Sequence, residues 1–255
     1  MSGGAPACAG GAFPWRGAPA IVPVREVSVR VAQEPWPWAE ANRDVIDRHW
    51  QAALERKPQM FNGRVLLSRR PAIVDGRYEA TCLPVDFAAF LTWRDLGWPD
   101  DTVVNGFSMA ALRSADGPWL AGVQGGHTAN SGQIYFAAGT PDLSDVRPDG
   151  TLDLQGNIVR ELAEETGLDA SELTFADGWR AVLDGGRVAL MREARSALPA
   201  DALARRIRDF IAADPAPELA DVRLFHSPAD IDPARMPPFM VAWLAAAFAQ
   251  DAARA

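Results

Sequence analysis

Three glutamates, Glu161, Glu164 and Glu165, fall at i, i+3 and i+4 within Arg-Glu-Leu-Ala-Glu-Glu-Thr-Gly-Leu, residues 160–168. On a helix that spacing projects all three carboxylates from one face. Like charges so placed destabilise a helix by about 0.2–0.5 kcal/mol per pair, a cost that a bound divalent cation would offset. Carboxylates are hard oxygen donors, so the set suits Mg²⁺, or Mn²⁺, better than zinc. Paired glutamates on a helix usually do no more than keep its outer face soluble; what separates this stretch from that reading is the rest of the string. Gly167 ends the helix where a left-handed residue costs least. Leu162 and Leu168 point the other way and can pack under a sheet.

The full pattern (Arg, Glu, apolar, any residue, Glu, Glu, any residue, Gly, apolar) resembles the second half of the Nudix box. That box is the signature of a superfamily of Mg²⁺-dependent hydrolases acting on nucleoside diphosphates linked to another moiety. All specified positions of that half are met between Arg160 and Leu168. The first half fits badly. The family pattern has a Gly fourteen residues and a Glu eight residues before the Arg, where this chain has Val146 and Leu152. The nearest suitable glycine is Gly139, seven residues too far upstream. An insertion is therefore expected in the loop from Thr140 to Leu152, which holds the turn formers Pro141, Asp142, Pro148, Asp149 and Gly150. Asp153 stands where a helix N-cap belongs. With the upstream glutamate missing, the sequence offers Arg160 no evident partner.

The resemblance implies an α/β fold, a Nudix-like α/β/α sandwich with a mixed sheet. It implies Glu161, Glu164 and Glu165 as ligands of Mg²⁺ (Mn²⁺ as the substitute), with a metal-activated water attacking the diphosphate. Arg160, Gly139 and Gly167 would support the site. The general base is implied to be a glutamate of the box, Glu161 or Glu165, or one from a later loop. Glu218, just before a predicted strand, is the candidate there, although a solvated loop glutamate is an equally good reading; Glu193 is a weaker one. A looser similarity links Phe61-Asn62-Gly63, the following strand pair and residues 86–91 to a Nudix subgroup that includes UDP-glucose pyrophosphatases. It implies a nucleoside diphosphate sugar as substrate. The broken first half of the box supports the alternative, a catalytically idle nucleotide-binding module.

The elements that must position these residues follow from periodicity and turn chemistry. Strands are expected over 21–31, 64–69, 77–85, 103–113, 119–123 and 133–137, with helices over 39–56 and 87–96. After the glutamate helix come strand character over 173–183, a Gly185-Gly186 hairpin turn, and a strand over 187–194. A helix over 201–213, a strand over 221–226 and a helix over 238–253 complete the chain. This order suggests a leader over 1–20, an N-terminal sheet-and-helix extension over 21–101 and a catalytic domain over 102–255. The extension either packs on that domain or mediates a homodimer, and the sequence leaves both open. Phe107, Trp119 and Tyr135 are candidates to stack on a nucleobase, though strand residues of this kind more often fill a core.

The formal net charge of −8 argues against a nucleic-acid backbone as partner, which calls for a basic surface, and leaves a phosphate-bearing small molecule open. Cys8 and Cys82 have no metal-ligand spacing, and a reducing, cytoplasmic setting is expected. No apolar run reaches the length of a membrane span, so no membrane partner is expected.

Overall fold

The computed structural model describes residues 15–128 and 130–254. Strand β1 (Trp15–Val24) and strand β2 (Glu26–Val31) share the segment expected as one strand, broken at Arg25. Residues 15–20 are strand where composition suggests a leader, because pairing with a neighbour supplies what local hydropathy does not; the rest of that leader lies outside the described residues. Helices α1 (Pro37–Ala41) and α2 (Arg43–Arg56) follow, then the antiparallel pair β3 (Arg64–Val74) and β4 (Arg77–Asp86), then α3 (Phe87–Asp95). Next come β5 (Val103–Arg113), β6 (Trp119–Gln124) and two short strands, β7 (Ile134–Tyr135) and β8 (Ala138–Gly139). The glutamate helix is α4 (Leu154–Thr166). Strands β9 (Leu173–Phe175), β10 (Trp179–Gly185) and β11 (Arg187–Ser196) lead to α5 (Ala200–Ala213), β12 (Leu219–Phe225) and α6 (Pro238–Ala252).

The backbone of the sheet runs β1-β10-β11-β5-β3-β4-β2, with β6 joining β5 to β12 at one side. The β11–β5 and β2–β4 pairs are parallel and the remaining ones antiparallel, so the sheet is mixed. Strand pairing crosses the boundary expected at residue 101: β1 lies against β10, and Ser68 and Arg69 of β3 pair with Val104 and Val103 of β5.

Side-chain alternation along β5 sets the layers, since successive residues face opposite sides of a strand. Phe107, Met109 and Ala111 share a core with Phe239, Met240 and Trp243 of α6. Ala110 and Leu112, on the other face, pack with Ile158 and Leu162 of α4 and with Leu203 and Ile207 of α5. Helices thus cover both faces and form an α/β/α sandwich, with α4 and α6 on opposite sides. A separate cluster of Leu67, Leu83, Phe90 and Trp93 seats α3 on β3 and β4.

Candidate active site

Helix α4 starts and stops where its sequence says it should. The Asp153 carboxylate accepts the Gly156 N–H at 2.8 Å, capping the first turn. Gly167 closes the last turn at φ 68°, its N–H bonded to Ala163 at 2.9 Å. A Cβ at Gly167 would also come 2.7 Å from Cγ of Phe210, so both backbone and packing call for glycine. Ile158 and Leu162 are buried beneath the helix, which turns the glutamate face toward the end of the sheet.

The three carboxylates are in unlike surroundings. Glu165 is buried; its Oε1 accepts the Ala138 N–H at 3.1 Å, and its Oε2 has no partner among the described residues. Burial pushes its carboxyl well above the ordinary value, and the neighbouring charges of Glu161, Glu218 and Glu164 add to the rise. Glu161 is largely buried, and desolvation holds its carboxyl at about 7 against the pull of Arg160. Glu164 is exposed and pairs with Arg160 at 3.1 Å. Gly139, on β8 where it pairs with Ser108 of β5, lies directly against Glu161. A Cβ there would overlap the Glu161 carboxyl and come within 2.8 Å of its Cγ. Glycine at 139 is what lets that carboxylate pack against the strand.

Arg160 has a partner that the spacing concealed. Its guanidinium reaches Glu161 at 2.9 Å, Glu164 at 3.1 Å and Asp145 at 3.3 Å. Burial would lower its pKa, but those three carboxylates outweigh it and the net direction is upward. Asp145 is itself buried and accepts Asn157 Nδ2 at 3.0 Å, while Ser108 Oγ bonds Asn157 Oδ1 at 2.7 Å. A polar chain therefore runs from the middle of β5 to the glutamates and holds Arg160 in place. Asp145 follows Gly139 by six residues, the interval the family pattern leaves between its Gly and its Glu. The extra length therefore lies after Asp145 rather than spread from Thr140. Residues 146–152 form a small closed loop: Val146 bridges Leu152, and the Asp153 N–H donates to the Asp145 carbonyl at 2.8 Å. That loop is tied to β2, where Leu152 N bonds Val29 O at 2.9 Å and Val31 N bonds Gly150 O at 3.0 Å.

The later-loop candidate, Glu218, immediately precedes β12. The Gly125 N–H donates to the Glu218 carbonyl at 2.8 Å, fixing the start of β12 against the end of β6, and the Glu218 charge adds to the raised pKa of both Glu161 and Glu165. Glu193 is held instead by Arg195 at 2.9 Å. His49 pairs with Asp95 at 2.9 Å, and His127 and His226 are exposed. Among the described residues no three His, Cys, Asp or Glu side chains already form a metal cage. The donors nonetheless fit a hard divalent cation: Glu165 carries an unpartnered buried oxygen, and Glu161 beside it is desolvated and repelled.

Beside Gly139 opens a cavity of about 260 Å³, walled by Phe87 and Phe90 of α3, Asn105 and Phe107 of β5, Tyr135 and Phe239. Of the aromatic candidates, Phe107 and Tyr135 line this cavity. Trp119 is buried in the core instead, edge-on to Trp243 with ring centres 4.7 Å apart.

No family model matches the sequence, and no curated protein does. Among solved structures, the chain is similar to RenU, a Nudix hydrolase from M. smegmatis, at 16% identity. The match covers 58% of this chain and 84% of that one, with a TM-score of 0.37. It is also similar to the Bacillus subtilis pyrophosphohydrolase BsRppH at 18% identity, over 48% of this chain, with a TM-score of 0.28. The match spans 62% of that second protein's length. The described helices include none long and apolar enough to cross a membrane.

Proposed function

We propose that this chain is a Nudix-type hydrolase that cleaves a nucleoside diphosphate linked to another moiety, with Mg²⁺ (or Mn²⁺) as cofactor. The observation that supports this most is the packing of Glu161 against Gly139 while Arg160, anchored by Asp145, grips both Glu161 and Glu164. In this reading Glu161, Glu164 and Glu165 hold the cation, which when bound would neutralise diphosphate charge and make a water more acidic. The protein's own share is placement. Arg160 keeps the carboxylates on one side of α4, the buried Ser108–Asn157–Asp145 chain keeps Arg160 there, and Gly139 leaves space for the substrate to approach. In this reading Glu218 takes a proton from the attacking water, with Glu161 and Glu165 as the competing bases.

The looser similarity of the N-terminal region favours a nucleoside diphosphate sugar over a nucleoside triphosphate, cleaved to a nucleoside monophosphate and a sugar phosphate. A panel of UDP-glucose, ADP-ribose, NADH, coenzyme A and deoxynucleoside triphosphates, assayed with Mg²⁺, tests this. A triphosphate or coenzyme A as best substrate by a wide margin would remove the sugar-nucleotide assignment alone. No turnover of any of them, with Mg²⁺ binding intact by calorimetry, would favour the idle nucleotide-binding module. Glu164→Gln and Glu165→Gln should each slow turnover by orders of magnitude with the fold retained. Glu218→Gln should slow it without weakening Mg²⁺ affinity; an unchanged rate would return the base role to the box.

A further inference from the structure

A second cavity, of about 750 Å³, is lined by three arginines: Arg25 just after β1, Arg180 on β10 and Arg254 just past α6. It lies toward the other end of α6 from the cavity beside Gly139. Gln250 on its wall follows Phe239, which lines the first cavity, by eleven residues, about 16 Å along the helix. Arg180 is half-buried. Its Nη2 donates to the neutral Gln250 Oε1, and its guanidinium lies 5.6 Å from the Trp243 ring centre. The carboxylates nearby are held by other arginines: Asp251 by Arg113 at 2.6 Å, and Glu193 by Arg195 at 2.9 Å. Asp177, also on the wall, is exposed. Among the described residues none of the three cavity arginines forms an ion pair; Arg25 donates only to the Asp75 carbonyl, at 2.6 Å. Burial pulls the Arg180 pKa down, and Arg254 and Arg113 act the same way against Glu193 and Asp251. A partly desolvated charge is stabilised by a counter-ion. In a chain of 33 acidic and 25 basic residues, three arginines without a carboxylate around one cavity are an imbalance that an anionic ligand removes.

We propose that this cavity is a second ligand site, which binds a small organic phosphate apart from the glutamate helix. Arg180 and Arg254 hold the phosphate oxygens, Arg25 adds charge from the β1 side, and the organic part lies against Trp179 and Pro23. The planar donor fork of arginine matches phosphate oxygens. The volume falls within the roughly 300–1,000 Å³ of small-molecule sites, far more than a bare phosphate fills, which favours an ester. The walls are already in place. The Ala176 N–H donates to the Glu193 carbonyl at 3.0 Å, and Arg192 Nε donates to the Ala176 carbonyl at 2.8 Å. Gly178, at φ 75°, lets the loop close on β1, where a Cβ would come 2.9 Å from the Val24 carbonyl oxygen. A site built before the ligand arrives spares the cost of ordering it. No glutamate of α4 borders this cavity, so the proposal goes beyond the hydrolase reading and does not rest on it.

The test is calorimetric titration of the full chain in EDTA with glucose 1-phosphate, ribose 5-phosphate and adenosine 5′-monophosphate, with inorganic phosphate and glucose as controls. Without metal the α4 carboxylates repel phosphate, so binding there is suppressed. At least one ester should bind with a Kd of about 1 mM or lower, and about tenfold more tightly than inorganic phosphate; glucose should not bind. Arg180→Gln and Arg254→Gln should each weaken that ester by about tenfold, the loss of a charge-assisted hydrogen bond. Arg254 is exposed beyond the end of α6, so Arg254→Gln gives a variant that folds whatever Arg180→Gln does to stability. Glu164→Gln should leave the Kd unchanged. Absence of binding by every ester, or an unchanged Kd in both arginine variants, would overturn the proposal. Inorganic phosphate binding as tightly as the esters would overturn the assignment to an organic phosphate, and a Kd altered as much by Glu164→Gln as by Arg254→Gln would place the ligand at α4 instead.

Discussion

Replacing Gly139 by alanine probes the contact on which the site depends. The added methyl would overlap the Glu161 carboxyl and approach its Cγ to 2.8 Å, and the three nearest atoms all belong to that side chain. Glu161 must therefore swing away, losing its 2.9 Å bond to Arg160. Overpacking of this kind costs about 1–3 kcal/mol, less about 0.4–1 kcal/mol returned by the lower entropy of the unfolded alanine chain. The net loss of about 0–2.6 kcal/mol corresponds to a fall in melting temperature of up to roughly 10 °C for a chain of this size. In a Glu161→Ala background the obstacle is gone, and the same Gly139→Ala change should be neutral or stabilising by about 0.4–1 kcal/mol. The double-mutant cycle, read by urea denaturation in EDTA, should thus give a coupling of about 1–3 kcal/mol. Hydrolysis by Gly139→Ala alone should fall about a hundredfold or more, since an ångström-scale displacement of a reacting group costs that much. An identical cost of Gly139→Ala in both backgrounds would refute the Gly139–Glu161 contact and, with it, the seating of the carboxylate.

Three further outcomes are expected. A carboxyl whose folded pKa is raised binds more protons folded than unfolded, so stability falls as pH rises between the two values. For Glu161 that window runs from 4.5 to about 7, and its share of the loss should reach about 1–3 kcal/mol in EDTA above pH 7. Glu161→Gln should flatten the fall and Mg²⁺ should reduce it; parallel melting curves of wild type and variant across pH 5–8 would contradict the assignment. Asp145→Ala should lower turnover more than Asp145→Asn, which keeps the bond from Arg160, and equal rates for both would show that Arg160 does not depend on this anchor. Burial pushes the Cys82 thiol up to about 11, so iodoacetamide at pH 8 should label it only after denaturation, as read by mass spectrometry of its peptide; rapid labelling of the native protein would contradict its burial between β2 and β3.

Much of the site could be read from local sequence because local geometry determines it. Three carboxylates at i, i+3 and i+4 share a helix face in any fold, and Asp153 and Gly167 bracket that helix by capping chemistry alone. The apolar run over 103–113 likewise foretold the strand β5. The Asp145–Arg160 pair was harder to see, because residues 146–152 intervene and only folding shows that they close on themselves and leave Asp145 adjacent to Asp153. The six-residue interval from Gly139 to Asp145 was the available signal.

Other features depend on contacts between segments far apart in the chain, which no short-range pattern encodes. Residues 15–20 become a strand only because β10 offers an edge, and the Glu218 backbone is held beside Gly125 only because β12 pairs with β6. Arg187 looks like an ordinary strand arginine until folding sets its guanidinium against the Trp98 and Phe239 rings. The raised pKa values of Glu161 and Glu165 follow in the same way, since desolvation belongs to the packed structure and to no residue in isolation. The sequence by itself determined which groups could bind a cation and on which face of a helix they stand. Tertiary structure decided their partners, their burial and the cavity beside them, because those arise from surfaces that meet only when the sheet is assembled.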